Sequence, residues 1–418
     1  MKNILVSVVG VMLSLLAFSQ NFPFPMNESG YKYPYGIVPT NVSNDKIQQK
    51  FKAWESAMYE ESGDLARIKY DPGNDDKTVS EGIAYGMLIY VYMANETNTQ
   101  CQDHFDKLYS YYKRWSDNKG LMNWKITGFS SIASDGSGGA TDADLDVGLA
   151  LCLAAKQWES SSKYVYANEA ETILKNIYNY ETWSTNGYRF FKPGDSWNDN
   201  GNPCYFTQAS VGVFAQAQED LGFTTTKDWQ KVYEDGHVYL EKSQRLGVWP
   251  NWTNWNSTYD PQKRPWIQAG TKAAFDEVTF GWDACRVPWR VAWDYIWYGN
   301  ESSKKMLKKT IEMLKAKNWY NNASIGYLAG LDGSDYSSLN IPTDQRYSSG
   351  NVAWTGSIAC ALMIDSEHQS SLDTYNSSIN SKTGQAYYAQ TLQVLYMLTL
   401  SGNAANFFDC DGGSSVIA

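Results

Sequence analysis

From Ile83 to Met93 the chain reads Ile-Ala-Tyr-Gly-Met-Leu-Ile-Tyr-Val-Tyr-Met, apolar nearly all the way round a helix. A helix without a polar face must be buried, so other elements have to surround it. Helix-length segments fill most of the remaining sequence, joined by loops of Gly, Asn, Ser and Asp. They span 44–60, 81–95, 101–116, 143–158, 163–178, 206–219, 226–242, 284–297, 302–317, 350–364 and 386–400. Several carry apolar residues at i, i+3, i+4 spacing, as with Leu145, Leu149, Cys152 and Ala155. Strand-like alternation is confined to short pieces such as Tyr188–Lys192. The pattern predicts an all-α fold: a barrel or solenoid of antiparallel helix pairs. No fixed period recurs, which disfavours an open repeat array.

The ends read differently. Residues 1–19 have the form of a secretory signal: Lys2, an apolar run from Ile4 to Phe18, and small residues before Gln20. The run is short for a membrane span and no second candidate exists, so the mature protein is expected to be soluble and exported, to the extracellular space or the periplasm, with no membrane role after cleavage. Residues 20–43 read as an irregular strap, 44–403 as a single helical domain and 404–418 as a tail.

The formal charge is −10, which argues against nucleic acid and anionic lipid as partners. The 17 Trp and 30 Tyr point instead to neutral polymers, because aromatic faces stack on the C–H faces of pyranose rings. A tryptophan-rich core accounts for many of the same residues. Six cysteines occur without a CxxC pair, and His104, His237 and His368 are far apart in sequence. That argues against a zinc site and against Ser-His or Cys-His catalysis. Cys152 and Cys360 lie in apolar helical runs and read as core.

Three acidic segments stand out. Glu81 enters the apolar helix; burial would raise its pKa toward that of a general acid, and the helix N-terminus would lower it, so residue physics leaves its role even. Asp283 lies three residues before Arg286, a spacing that suits either a general base kept ionised or an ordinary helical ion pair. Asp142, Asp144 and Asp146 precede another apolar helix, and capping explains one of the three more easily than all three. Glycosidic hydrolysis needs one carboxyl protonated and another ionised, and such groups set among tryptophans and tyrosines fit that chemistry.

Together SEGIAYGM, GLMNWKI, ATDADLDVGLALCLAAKQW, NPCYF and WDACRVPWR resemble glycoside hydrolase family 8, from about Tyr33 to about Asn403. The resemblance implies an (α/α)6 barrel of six inner and six outer helices with a cleft across one end. It implies endo-acting hydrolysis of β-1,4-linked polysaccharide with inversion, in the endoglucanase manner. It further implies Glu81 as proton donor, Asp283 as the base that activates water, and Asp142 as the group that holds the sugar at the point of cleavage. By the same resemblance Tyr205 would lie near the attacking water and Arg286 would orient Asp283. Trp124, Trp197, Trp282 and Tyr388 would be stacking platforms. No metal or organic cofactor is implied, and a monomer is expected. An endoxylanase of the same family is the nearest alternative; a chitosanase and an inactive glycan-binding protein are more distant ones. Two departures appear. Gln208 stands where the family commonly has proline, a change expected to reshape one cleft wall, and Cys285 flanks the expected base.

Overall fold

The computed structural model describes residues 20–70, 76–198, 200–253, 278–331 and 350–410. The segment read as a signal, 1–19, lies outside them, as do Trp255 and Trp266. In chain order the helices are α1 (Asn44–Met58), α2 (Ser80–Met93), α3 (Cys101–Arg114), α4 (Thr141–Trp158), α5 (Tyr166–Tyr180) and α6 (Gln208–Asp220). They continue with α7 (Trp229–Ser243), α8 (Val287–Tyr298), α9 (Glu301–Ala316), α10 (Val352–Ala361), α11 (Gln369–Ser381) and α12 (Tyr387–Leu400).

Their packing alternates. Each even-numbered helix packs against the next even-numbered one, and α12 packs back on α2, which closes a ring. The odd-numbered helices lie outside, α3 on α2, α5 on α4, α7 on α6, α9 on α8 and α11 on α10, while α1 covers α12. The chain is therefore an (α/α)6 barrel, its first helix beside its last. Sequence chemistry separates the layers. In α4 every residue but Lys156 is buried, and α10 is buried throughout, as an inner helix must be. The outer helices bury one stripe, for example Ile47, Phe51, Trp54 and Met58 of α1. Polar caps start several of them: Ser43 accepts from Lys46 N–H, and Asn300 from the N–H groups of Ser302 and Ser303.

Helix α11 has no counterpart among the expected segments. Its sequence, QSSLDTYNSSINS, is polar, and only Leu372, Tyr375 and Ile379 supply an apolar stripe. Conversely α4 begins at Thr141, so Asp142, Asp144 and Asp146 lie within the helix rather than before it. Among the described residues, seven short strands join the helices. The hairpins are β1 (Tyr59–Ser62) with β2 (Leu65–Ile68), and β6 (Thr182–Thr185) with β7 (Tyr188–Phe191). Between them β3 (Lys77–Val79), β4 (Lys125–Thr127) and β5 (Ser131–Ile132) form an antiparallel sheet that places Val79 opposite Lys125.

The strap lacks regular secondary structure but is packed: Phe22, Phe24 and Met26 are buried. Ala404 to Phe408, in the segment read as a tail, are buried as well, and Phe407 stacks on Phe22 with ring centroids 4.4 Å apart. The six cysteines form no disulfide, and Cys152 and Cys360 are core residues. No helix among the described residues is long and apolar enough to cross a membrane.

Candidate active site

The inner helices run parallel, so their N-termini gather at one end of the barrel. Glu81 lies in the first turn of α2 and Asp142 in the first turn of α4. Tyr205 ends a 3₁₀ turn just before α6, and Asp283 precedes the 3₁₀ turn that leads into α8. Tyr387 and Tyr388 open α12. β3 feeds directly into α2, and Ser80 N–H donates to the Trp124 carbonyl at 2.9 Å, which brings Trp124 beside Glu81.

One guanidinium joins the three acids. Arg286 Nη1 donates to Glu81 Oε2 at 2.6 Å, to Asp142 Oδ2 at 2.8 Å and to Tyr85 Oη at 3.1 Å. Its Nη2 donates to Asp283 Oδ1 at 3.3 Å and its Nε to the Asp283 carbonyl at 3.3 Å. The side chain is only 3 % exposed. One positive charge cannot balance three carboxylates, so a proton kept on one acid lowers the excess negative charge, and Glu81 is the group that keeps it. Burial raises its pKa first; Arg286 opposes and Asp142 reinforces the rise, and the outcome is about 7. Asp283, by contrast, has a side chain 32 % exposed, open to solvent. Tyr387 donates its hydroxyl to Glu81 Oε1 at 3.2 Å. That approach depends on Gly82, since a Cβ there would lie 2.8 Å from the Tyr387 oxygen.

The three aspartates of the 142–146 run separate into three environments. Asp142 faces the cleft. Asp144 accepts the Tyr112 hydroxyl. Asp146 pairs with Arg290, whose Nη1 donates to its Oδ1 at 2.7 Å, with both side chains 1 % exposed.

The cleft around the acids encloses about 590 Å³. Trp124, Tyr205, Trp282, Arg286 and Tyr388 all line it. Trp197 does not. It stands at the rim, 48 % exposed, stacked on Trp252 with centroids 5.0 Å apart, and Trp252 in turn meets the Tyr205 ring edge-on at 6.1 Å. Tyr70 and Tyr387 also line the cleft and were not foreseen. Adjacency to Tyr388 was the only signal for Tyr387, and Tyr70 had none. Gln208 does not line the cleft: its side chain is buried and donates to the Val232 and Tyr233 carbonyls, tying α6 to α7. Cys285 is buried and donates its thiol to the Trp282 carbonyl at 3.1 Å.

Away from the cleft, two groups of side chains resemble other kinds of catalytic or metal site. His237, Asp294 and Ser303 meet in the interior, but Asp294 and Ser303 both address His237 Nε2, at 2.9 and 3.3 Å, while Nδ1 meets the Tyr233 carbonyl. A hydrolytic triad needs carboxylate and hydroxyl on opposite ring nitrogens, so this trio is a structural tie between α7, α8 and α9. Glu61, Asp103 and His104 have metal-ligand character, yet Lys107 Nζ already bridges the two acids at 2.9 Å each.

Against known proteins, the model of glycosyl hydrolases family 8 matches residues 32–402. Endoglucanase 2 of Ruminiclostridium josui is 30 % identical over 404 residues, covering 93 % of this chain and 78 % of that protein. Endoglucanase A of Acetivibrio thermocellus is 30 % identical over 391 residues, 90 % of this chain and 74 % of that one. Among solved structures, the apo β-1,3-1,4-glucanase from Paenibacillus sp. X4 superposes with a TM-score of 0.77 at 25 % identity, covering 92 % of this chain and 99 % of the other. Rex8A from Paenibacillus barcinonensis, complexed with xylose, gives 0.66 at 19 % identity over 90 % and 100 %, a likeness of fold.

Proposed function

The chain belongs to family 8 of the glycosyl hydrolases and is a glycoside hydrolase; on that premise we propose that it is a secreted endo-acting β-1,4-glucanase, working on cellulose or mixed-linkage β-glucan by inversion. The observation that carries the reading is the single buried guanidinium bound to three carboxyls, one of which stays protonated near neutrality.

Glu81 is the general acid. Arg286 occupies its Oε2, which leaves Oε1 to carry the proton, and Tyr387 holds that oxygen from the side. As the glycosidic bond breaks, the Glu81 proton passes to the leaving oxygen. Asp283 takes a proton from a water that attacks the anomeric carbon from the opposite face, so the reaction leaves Glu81 ionised and Asp283 protonated until solvent resets both. Arg286 holds the acid, the base and Asp142 in a fixed relation, and Asp142 accepts from the sugar at the point of cleavage. Trp124, Trp282 and Tyr388 stack on sugar faces in the cleft, and Trp197 extends the row at the rim. Endo action is supported by the endoglucanases among the relatives. Glucanase action in these relatives' names, endoglucanase and β-1,3-1,4-glucanase, supports glucan over xylan.

The test is product analysis on soluble cellulose, mixed-linkage β-glucan, xylan and chitosan, with proton NMR of the first anomer released. Gluco-oligomers from internal cleavage, born as the α-anomer, are expected. Xylo-oligomers alone would keep the mechanism and change the substrate, and a β-anomer product would overturn inversion.

A further inference from the structure

Behind the cleft two carboxyl groups are buried against each other with no cation between them. Asp144 lies in the first turns of α4, and Glu181 follows the last residue of α5; neither has exposed surface. Both face the same glycine: a Cβ on Gly139 would lie 3.0 Å from Asp144 Oδ2 and 3.1 Å from Glu181 Oε1. Those two oxygens and Glu181 Oε2 find no well-aligned hydrogen-bond donor among the described residues.

The surrounding elements offer little positive charge. From α3, Tyr112 donates its hydroxyl to Asp144 Oδ1. From α4, Asp142 adds a negative charge, and the Thr141 hydroxyl lies beside Glu181. From the loop after α3, Lys119 is spent on Asp195 Oδ2 at 2.5 Å, with Asp117 on the other side of Asp195. From the loop after β7, Lys192 bonds the Asp195 carbonyl at 3.2 Å and forms no ion pair with Glu181. Two ionised carboxylates in contact in a dry interior repel too strongly to persist, so one keeps a proton and shares it with the other. Burial, and to a smaller degree the neighbouring acids, push Asp144 up to about 7 and Glu181 well above its ordinary value.

This pair floors the segment that leads to Asp142. Gly138 N–H donates to Asn123 Oδ1 at 2.9 Å, Gly139 N–H to Asp195 Oδ1 at 2.8 Å and Thr141 N–H to the Pro193 carbonyl at 3.1 Å, so the strip is held at its sides and rests on the two acids. We propose that Asp144 and Glu181 are positioning residues: by sharing one proton beneath Gly139 they fix the Gly138–Asp142 segment, and with it the Asp142 carboxylate in the cleft. The effect on turnover rests on the role given to Asp142 above; the shared proton itself does not. When that proton leaves, two adjacent negative charges force the pair apart and the strip loses its floor.

Glu181→Gln replaces the shared acid with an amide that donates to Asp144 at any pH. The thermal midpoint of the wild type is expected to fall as pH rises from 6 to 9, and that of Glu181→Gln to fall less over the same range. The alkaline limb of log kcat/KM should drop in slope from about two to about one, since only Glu81 then has a proton to lose. Asp144→Asn should repeat both results, whereas Glu181→Ala, which supplies no donor and leaves a void, should lower the midpoint at every pH. As a check that needs no folding of the pair variants, Glu81→Gln should keep a protonated-carboxyl infrared band above pH 6. Unchanged pH dependence of the midpoint in both amide variants, or absence of that band, overturns the proposal. Should the protein hydrolyse no glycan, the proposed function fails while the midpoint and infrared readings still decide the pair.

Discussion

Arg286 is the residue on which the site converges, and its environment sets out what substitution should do. It touches all three cleft acids while almost wholly buried. Arg286→Gln removes the one positive charge and leaves three carboxyls facing each other, and breaking a buried pair in this way costs about 3–5 kcal/mol. A thermal melt should therefore show strong destabilisation. Glu81→Gln is close to isosteric and should instead keep the fold and the binding of oligosaccharide while kcat drops about 100- to 10,000-fold, the usual worth of general acid catalysis. A variant within tenfold of wild type would remove Glu81 from the role. The pH profile follows the same group. Glu81 is protonated below about 7 and ionised above it, so activity is expected to fall on the alkaline side of that value. Its contribution to stability has the same sign: full below the ordinary carboxyl pKa, and lost as pH rises through the raised one. The motifs pointed to Glu81 as proton donor, but its charge state was not legible at the residue level. Desolvation and the helix N-terminus oppose each other at Glu81, and only the packing around it decided for desolvation.

At the scale of elements, the parallel N-termini of α2, α4 and α12, with the turns before α6 and α8, build the cleft, and a single glycine sets the closest approach between two of them. Gly82→Ala puts a methyl against the Tyr387 hydroxyl at 2.8 Å. Alanine is the better helix former by about 1 kcal/mol, so α2 itself gains. The tyrosine must retreat from Glu81, and a misplacement of that size costs about 10- to 100-fold in rate. Steady-state kinetics should show the loss in kcat with little change in the thermal midpoint; a fallen midpoint would mean that packing, not positioning, was disturbed. The helices were read from sequence where their apolar residues recur, and they were found within a few residues of the expected ends. Helix α11 was missed because its stripe is three residues wide in a run of serines and asparagines. The short strands were mostly missed too, because three or four residues carry too little alternation, and β3 and β4 are ordered by their contacts with α2 and with each other.

Over the whole molecule, closure of the ring brings the strap and the segment after α12 together. Helix α1 lies on α12, α12 on α2, and the strap reaches residues 404–408 through Phe22 and Phe407. Phe407→Ala opens a cavity beside a fully buried ring and is expected to destabilise by about 3–5 kcal/mol in chemical denaturation, although it lies far from the cleft. A loss under 1 kcal/mol would mean that the end segments are not part of the cooperative unit. The sequence by itself determined that the chain is helical, with inner helices apolar on every side, because burial leaves its mark in the period of the apolar residues. Its motifs also named the three cleft acids, Glu81, Asp142 and Asp283. That one arginine serves all three acids, and that Asp144 meets Glu181, were decided by tertiary structure alone. Those contacts join residues such as Arg286 and Glu81 that are 205 positions apart, and the charge state of a carboxyl depends on what closes over it, which no local window of sequence contains.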